Sequence, residues 1–147
     1  MNPMVLYKRL NDLAIVPTKG SEYSAGYDLY AAIESDIEIA PHKTVMIGTG
    51  LAFEIPPYTF MGIFARSGLA TKKGLRPANC VGVVDSDYRG EVKVALHNDS
   101  DEVMTVESGE RIAQAIVLPF YQIGLEEVDE LSDTDRGEGG FGSTGNK

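Results

Sequence analysis

The chain has 147 residues, enough for one domain of ordinary size and too few for two full cores. With 43% apolar and 24% charged residues it reads as a globular protein with a sizeable core, which excludes a disordered or fibrous chain. The formal net charge of -9 argues against general binding to nucleic acid or to an anionic membrane, both of which need a basic face, but leaves room for one polyphosphate held by a few arginines or a divalent cation.

Cys80 is the only cysteine, so no intrachain disulfide can form, and His42 and His97 lack metal-ligand spacing. No charge-free stretch approaches the ~20 residues of a membrane-spanning helix. Lys8 and Arg9 are not followed by the apolar segment of a secretion signal. A reducing, cytoplasmic setting is the expectation.

In chain order, the first element of note is Ser24-Ala25-Gly26-Tyr27-Asp28-Leu29, where a glycine turn leads into a strand with Asp28 just inside it. Ile37 and Ile39 then alternate with Asp36 and Glu38 as in a half-buried strand, and residues 59–65 form an apolar run of strand length. The one helix expected covers residues 67–73, with Ser67 as its cap and Gly74 as its stop. Residues 82–91, GVVDSDYRGE, read as a β-hairpin with Asp85 and Asp87 on one face, either crowding each other or dividing the tasks of base and metal-shell partner. Val92, Val94 and Leu96 alternate with Glu91, Lys93 and Ala95, and the run 112–118 is apolar but for Gln114, whose amide needs a partner if buried. Many short strands between frequent turns imply a sandwich, jelly roll or barrel.

After Tyr121 the character changes. Six acids fall within residues 126–135, and residues 136–145 read RGEGGFGSTG, with five glycines in ten positions. Such a segment orders only when something docks it, because each glycine loses much backbone entropy. Its arginine, hydroxyls and approachable backbone N–H groups suit phosphate oxygens, and Phe141 suits a flat ring. Arg66-Ser67-Gly68 at the helix start similarly suits an anion, although ordinary capping explains Ser67 as well.

Taken together and in this order, AGYDL at 25–29, RSGLA at 66–70, GVVDSDYRGEV at 82–92, GERIAQ at 109–114 and RGEGGFGSTG at 136–145 resemble the five motifs of the trimeric dUTP diphosphatase (dUTPase) family. The resemblance spans about Tyr7 to Gly145. It implies an all-β, jelly-roll-like distorted β-barrel with one short helix over residues 1–125, followed over 126–147 by an acidic linker and a flexible Gly-rich C-terminal lid. It also implies a homotrimer with active sites shared between subunits, Mg2+ as cofactor, and hydrolysis of dUTP to dUMP and pyrophosphate. That activity limits uracil incorporation into DNA and supplies dUMP for dTMP synthesis.

By matching position, the resemblance makes Asp85 the carboxylate that activates the water attacking the α-phosphate, and Asp28 a holder of magnesium through its water shell. Asn79 with the backbone of Gly82, Val83 and Val84 would read the uracil edge, Tyr88 would pack on the deoxyribose and exclude a 2'-hydroxyl, and Lys93 would line the substrate. Arg66, Ser67, Gly68 and Gln114 would contact the phosphates. In the tail, Arg136, Gly142, Ser143 and Thr144 would grip the γ end while Phe141 stacks on the uracil. Departures from the family pattern are Ala65 in place of a common proline, Ala115 in place of a larger aliphatic, and Pro57; none removes a catalytic group.

Two rival readings share much of this pattern. A dCTP deaminase needs a glutamate near the pyrimidine C4 and usually Arg-Ser-Ser, whereas Gly68 and Asp85-Ser86-Asp87-Tyr88 favour diphosphate hydrolysis. A non-catalytic nucleotide sensor would not require Asp85 together with an intact tail.

Overall fold

The computed structural model describes residues 4–141, and among them short strands alternate with turns as the sequence patterning requires. The strands are β1 (Leu6–Arg9), β2 (Tyr27–Tyr30), β3 (Ile37–Ile39), β4 (Thr44–Gly48), β5 (Leu51–Glu54) and β6 (Thr59–Phe64). After the helix α1 (Ser67–Lys73) come β7 (Leu75–Pro77), β8 (Gly82–Val84), β9 (Lys93–Asn98), β10 (Met104–Val106) and β11 (Arg111–Pro119). No helix among the described residues is long and apolar enough to cross a membrane.

Four sheets assemble from these strands: β1 with β5, β10 with β3, the order β2-β11-β6-β8, and the order β4-β9-β7. They do not close into one continuous barrel, but all four send side chains into one core. Leu51 comes from the first, Ile39 and Val106 from the second, Leu29 and Ile112 from the third, and Ile47, Leu75, Val94 and Leu96 from the fourth, all fully buried. Each such side chain contributes roughly 1.5–3 kcal/mol relative to exposure, so the sheets hold one another in place through this shared interior. The two-residue period is plain in β9, where Val94, Leu96 and Asn98 point inward while Lys93 stays exposed.

Asn98 is a fully buried polar residue, and its amide is saturated. Nδ2 donates to the carbonyls of Ile39 at 2.9 Å and Glu102 at 2.7 Å, and Oδ1 accepts from the backbone N–H and the hydroxyl of Ser100. The amide thereby ties β9 to β3 and to the turn before β10. Beside that turn, the hydrogen-bonded Arg76 fork holds the Asp99 carboxyl below its usual range.

Two local expectations are corrected. The segment 82–91 is not a hairpin: β8 pairs with β6, while β9 pairs with β4 and β7, so the connection arches from one sheet to another. Asp85 and Asp87 lie in a turn closed by the Tyr88 N–H on the Asp85 carbonyl, and therefore do not share the face of an extended strand. Ser67 is not the helix cap. Arg66 holds that position in extended conformation and makes no side-chain cap, since a guanidinium has no acceptor for the first-turn N–H groups; it donates instead to Asp28 on β2. Gly74 does end α1, at a positive φ of 67° that a side chain would strain.

Replacing Asn98 by alanine removes four hydrogen bonds, the one to the buried Ile39 carbonyl among them, and urea denaturation is expected to show a loss of about 2 kcal/mol at unchanged m-value. A loss below about 0.5 kcal/mol would show that the amide is not a strut of the fold.

Candidate active site

Asp28 and Gln114 face each other across β2 and β11, and Gln114 in turn faces Phe64 on β6, two residues before Arg66. Strand pairing thus delivers three of the expected residues to one place. Arg66 Nε donates to Asp28 Oδ1 at 2.8 Å, and Arg111 Nη1 lies 3.4 Å from Asp28 Oδ2. The Asp28 carboxylate is largely enclosed, with 15% of its side chain exposed, so both oxygens are oriented by guanidinium groups. Arg66 uses Nε for this contact, which leaves its two terminal nitrogens directed elsewhere.

Gln114 is oriented as firmly. Its Nε2 donates to the Ala65 carbonyl at 2.8 Å, and the amide occupies the space that a side chain on Gly26 would fill, since a Cβ there would collide with Oε1. Gly26 is therefore a close-approach glycine as much as a turn residue.

Asp28, Arg66 and Gln114 line a cavity of about 390 Å³ together with Ser67, Gly68, Leu69, Lys72, Lys73 and Glu110. The first-turn N–H groups of α1 have no partner within the helix, and no Cβ at Gly68 restricts approach to them. Arg66, Lys72 and Lys73 face Asp28 and Glu110 across the lining, with Lys73 Nζ donating to Glu110 Oε1 at 3.1 Å. In a chain of net charge -9, positive groups are here concentrated on a concave surface suited to phosphate oxygens.

The residues expected to meet the base and sugar gather in a different place. Val83, Val84, Asp85, Tyr88 and Lys93 line a second cavity of about 280 Å³ with Met46, Glu91 and Val92. Val83, Met46 and Tyr88 are exposed there, giving an apolar wall. Tyr88 is fixed by its hydroxyl, which donates to the Glu91 carbonyl at 3.0 Å, and by its ring resting on Gly90. Lys93 Nζ lies 3.5 Å from Glu91 Oε2, and Glu91 Oε1 accepts from the Gly50 N–H, so one carboxylate orients the lysine and anchors the turn before β5. Asn79 is exposed beside Gly82, its Nδ2 3.5 Å from where a Gly82 Cβ would stand. As a sheet edge, β8 has one side of its main chain without a strand partner among the described residues.

The two cavities share no lining residue. Asp28 sits on β2 and Asp85 just past β8, the opposite edges of the four-stranded sheet. Three strand spacings of ~4.8 Å, plus the offset along the strands, put the two carboxylates on the order of 15 Å or more apart within one chain. Of the tail residues, Arg136 donates from Nε to the Gly139 carbonyl at 2.7 Å and Phe141 is fully exposed; neither lines either cavity. Gly142, Ser143 and Thr144 lie outside the described residues.

Sequence reasoning assigned no role to Arg111, Glu91, Lys72, Lys73 or Glu110. Arg111 stood inside the motif GERIAQ, but its contact with Asp28 depends on strand register, which the sequence alone did not reveal.

Comparison with known proteins finds matches over most of the chain. A family model described as dUTPase matches residues 12–145. The deoxyuridine 5'-triphosphate nucleotidohydrolase of Nautilia profundicola is 49% identical over 138 residues, covering 94% of this chain and 96% of the relative. That of Neisseria meningitidis serogroup B is 46% identical over 143 residues, covering 96% and 93%. A mutant Staphylococcus bacteriophage 80alpha dUTPase, solved with dUpNHpp, superposes with a TM-score of 0.89 at 27% identity, covering 98% of this chain and 99% of that one.

Substituting Gly26 by alanine is expected to displace the Gln114 amide, the yielding end of a flexible side chain, while the sheet persists. The Gln114 side-chain NH2 signals in an NMR spectrum should move, and affinity for pyrophosphate should fall about tenfold with a melting temperature within a few degrees of the parent. Unchanged Gln114 signals would show that the cradle tolerates a side chain.

Proposed function

The chain belongs to the dUTPase family and is a dUTP diphosphatase, and from that premise we propose that it cleaves dUTP to dUMP and pyrophosphate through an Asp85-activated water, with Mg2+ bound alongside the phosphates. The observation that carries this reading is the cavity in which Arg66, Gln114 and the N–H groups at Ser67 and Gly68 converge beside an oriented Asp28. Each contributes donors, and together they suit a phosphate chain whose charge would otherwise be repelled by the protein's own.

The donor set fits magnesium held chiefly through the substrate. No group of three or more His, Cys, Asp or Glu side chains capable of caging a metal occurs among the described residues. Asp28, its oxygens already engaged by arginines, keeps lone pairs for metal-bound waters, which suits a hard cation that dehydrates reluctantly. When bound, the ion screens the phosphates and polarises the reacting phosphoryl oxygens.

Asp85 is exposed at the end of β8 and makes no side-chain hydrogen bond among the described residues, so its carboxylate is free to accept a proton from water. The water oxygen bonds to the α-phosphorus as the bond to the bridging oxygen of the β-phosphate breaks, and pyrophosphate departs. The unpaired edge of β8, with Asn79 beside it, supports recognition of the uracil edge by main-chain hydrogen bonds, and such a site rejects cytosine by donor–acceptor mismatch. Tyr88, locked on Gly90, supports exclusion of a 2'-hydroxyl. Lys93 lines the same cavity as an oriented cation.

The separation of the two cavities supports a homotrimer in which the β8 end of one subunit meets the Arg66–Gln114 cavity of another. Tyr121, Ile123, Leu125 and Leu131 are exposed, a concentration of apolar surface that suits burial between subunits. The tail from Arg136 through Thr144 then closes over the nucleotide, Arg136, Gly142, Ser143 and Thr144 toward the γ-phosphate and Phe141 toward the base, excluding water as a lid. In the cell, the reaction limits uracil incorporation into DNA and supplies dUMP for dTMP synthesis in a cytoplasmic enzyme.

Phosphorus NMR of the protein with magnesium and dUTP, beside dCTP, dTTP and UTP, should show pyrophosphate release from dUTP alone. Turnover of dCTP would instead point to deamination chemistry. Asp85→Asn should retain nucleotide binding within a few-fold and lower kcat by at least about 10²-fold; near-normal turnover would overturn the assignment of the base. Deleting residues 136–147 should leave thermal unfolding unchanged and reduce kcat/KM at least about 10²-fold, whereas normal kinetics would remove the lid.

A further inference from the structure

Arg111 and Gln114 are three residues apart on β11, and in a regular strand they would point to opposite faces of the sheet. Their partners on β2 are only two apart: Arg111 faces Tyr30 and Gln114 faces Asp28. The register shifts between Arg111 and Ala113, where β11 carries one residue more than β2, a β-bulge. Its signature is the pair of consecutive, fully buried residues Ile112 and Ala113. The bulge turns Arg111 onto the face that holds Asp28 and Gln114, and brings Nη1 to 3.4 Å from Asp28 Oδ2 while Arg66 holds Oδ1.

We infer that Arg111 is a positioning residue, placed by the β11 bulge to fix the Asp28 carboxylate from the side opposite Arg66, and that it acts on the reaction through Asp28. The inference rests on the reading of Asp28 as a holder of the magnesium water shell. A carboxylate that works through water has to be fixed more rigidly than a direct ligand, because a small rotation of its oxygens moves the bridging waters out of line. One guanidinium on each oxygen removes that rotation. Arg111 does not line the 390 Å³ cavity, which suits support from behind Asp28 better than contact with the substrate. With 52% of its side chain exposed, it can be truncated without opening the core.

The test is calorimetric titration of a non-hydrolysable imido analogue of dUTP into the full-length protein, in magnesium and in EDTA, alongside turnover. In the parent, magnesium should tighten analogue binding. Arg111→Ala should lose that gain by about tenfold or more, bind equally well in EDTA, and lower kcat about tenfold. Arg111→Lys, able to make the same single contact, should recover most of both. In an Asp28→Ala background, Arg111→Ala should add less than about twofold, as expected of residues acting as a unit.

Arg111→Ala weakening the analogue equally in EDTA and magnesium would show direct contact with the nucleotide and overturn the inference, as would an undiminished magnesium effect in a folded Arg111→Ala or Arg111→Gln protein. A parent protein that hydrolyses dUTP but whose analogue binding ignores magnesium would instead overturn the role of Asp28, and this inference with it.

Discussion

One four-stranded sheet sets the terms for the whole molecule, because it holds Asp28 at one edge and Asp85 just past the other. The β2-β11-β6-β8 order is rigid, built on Leu29, Met61, Ile63, Ile112, Ala113 and Ala115, which are buried in the common core. No side-chain rearrangement bridges a gap of three strand spacings. The same sheet, however, orients each half of the site well: Gln114 is fixed by Ala65, Asp28 by two arginines, and Tyr88 by Glu91 and Gly90. The chain therefore presents two separate, well-oriented groups of side chains, and in the proposed homotrimer the contact between subunits is what joins them.

The second constraint is charge. A protein of net charge -9 that binds a polyphosphate needs its cations concentrated where they act. Arg66, Lys72 and Lys73 meet that need on one concave surface, while Asp28 and Glu110 hold two of these side chains in place by hydrogen bonds. The acids in the cavity thus organise its cations, and only Nε of Arg66 is spent on Asp28, which leaves its terminal nitrogens for the phosphate contact proposed above.

Much of this was legible in the sequence, for identifiable reasons. The alternation of Val94 and Leu96 with exposed neighbours, the glycine stop at Gly74, and the polar interruption at Gln114 are local signals, and each held. Long-range pairing was less accessible. Residues 82–91 have the composition of a hairpin, but β8 finds a better partner in β6 and β9 in β4 and β7, a choice made by the core. Ser67 looked like a cap because serine commonly is one, but the backbone is already helical at Ser67, which leaves the extended Arg66 in the cap position. Arg111 was hidden by its register: without the bulge, the motif GERIAQ puts it on the wrong face. The adjacent apolar pair Ile112-Ala113 was the available signal, two inward residues in succession where a regular strand has one.

The most direct test of the account is complementation between two inactive variants. On the proposed mechanism Arg66→Ala disables phosphate binding and Asp85→Asn disables water activation, so neither protein alone should turn over dUTP. If the halves come from different subunits, unfolding the two together in equal amounts and refolding them should create intact sites at about one in four, and recover a corresponding share of parental activity. A refolded mixture that stays as inactive as its components, while size-exclusion shows mixed oligomers, would contradict a site shared between subunits.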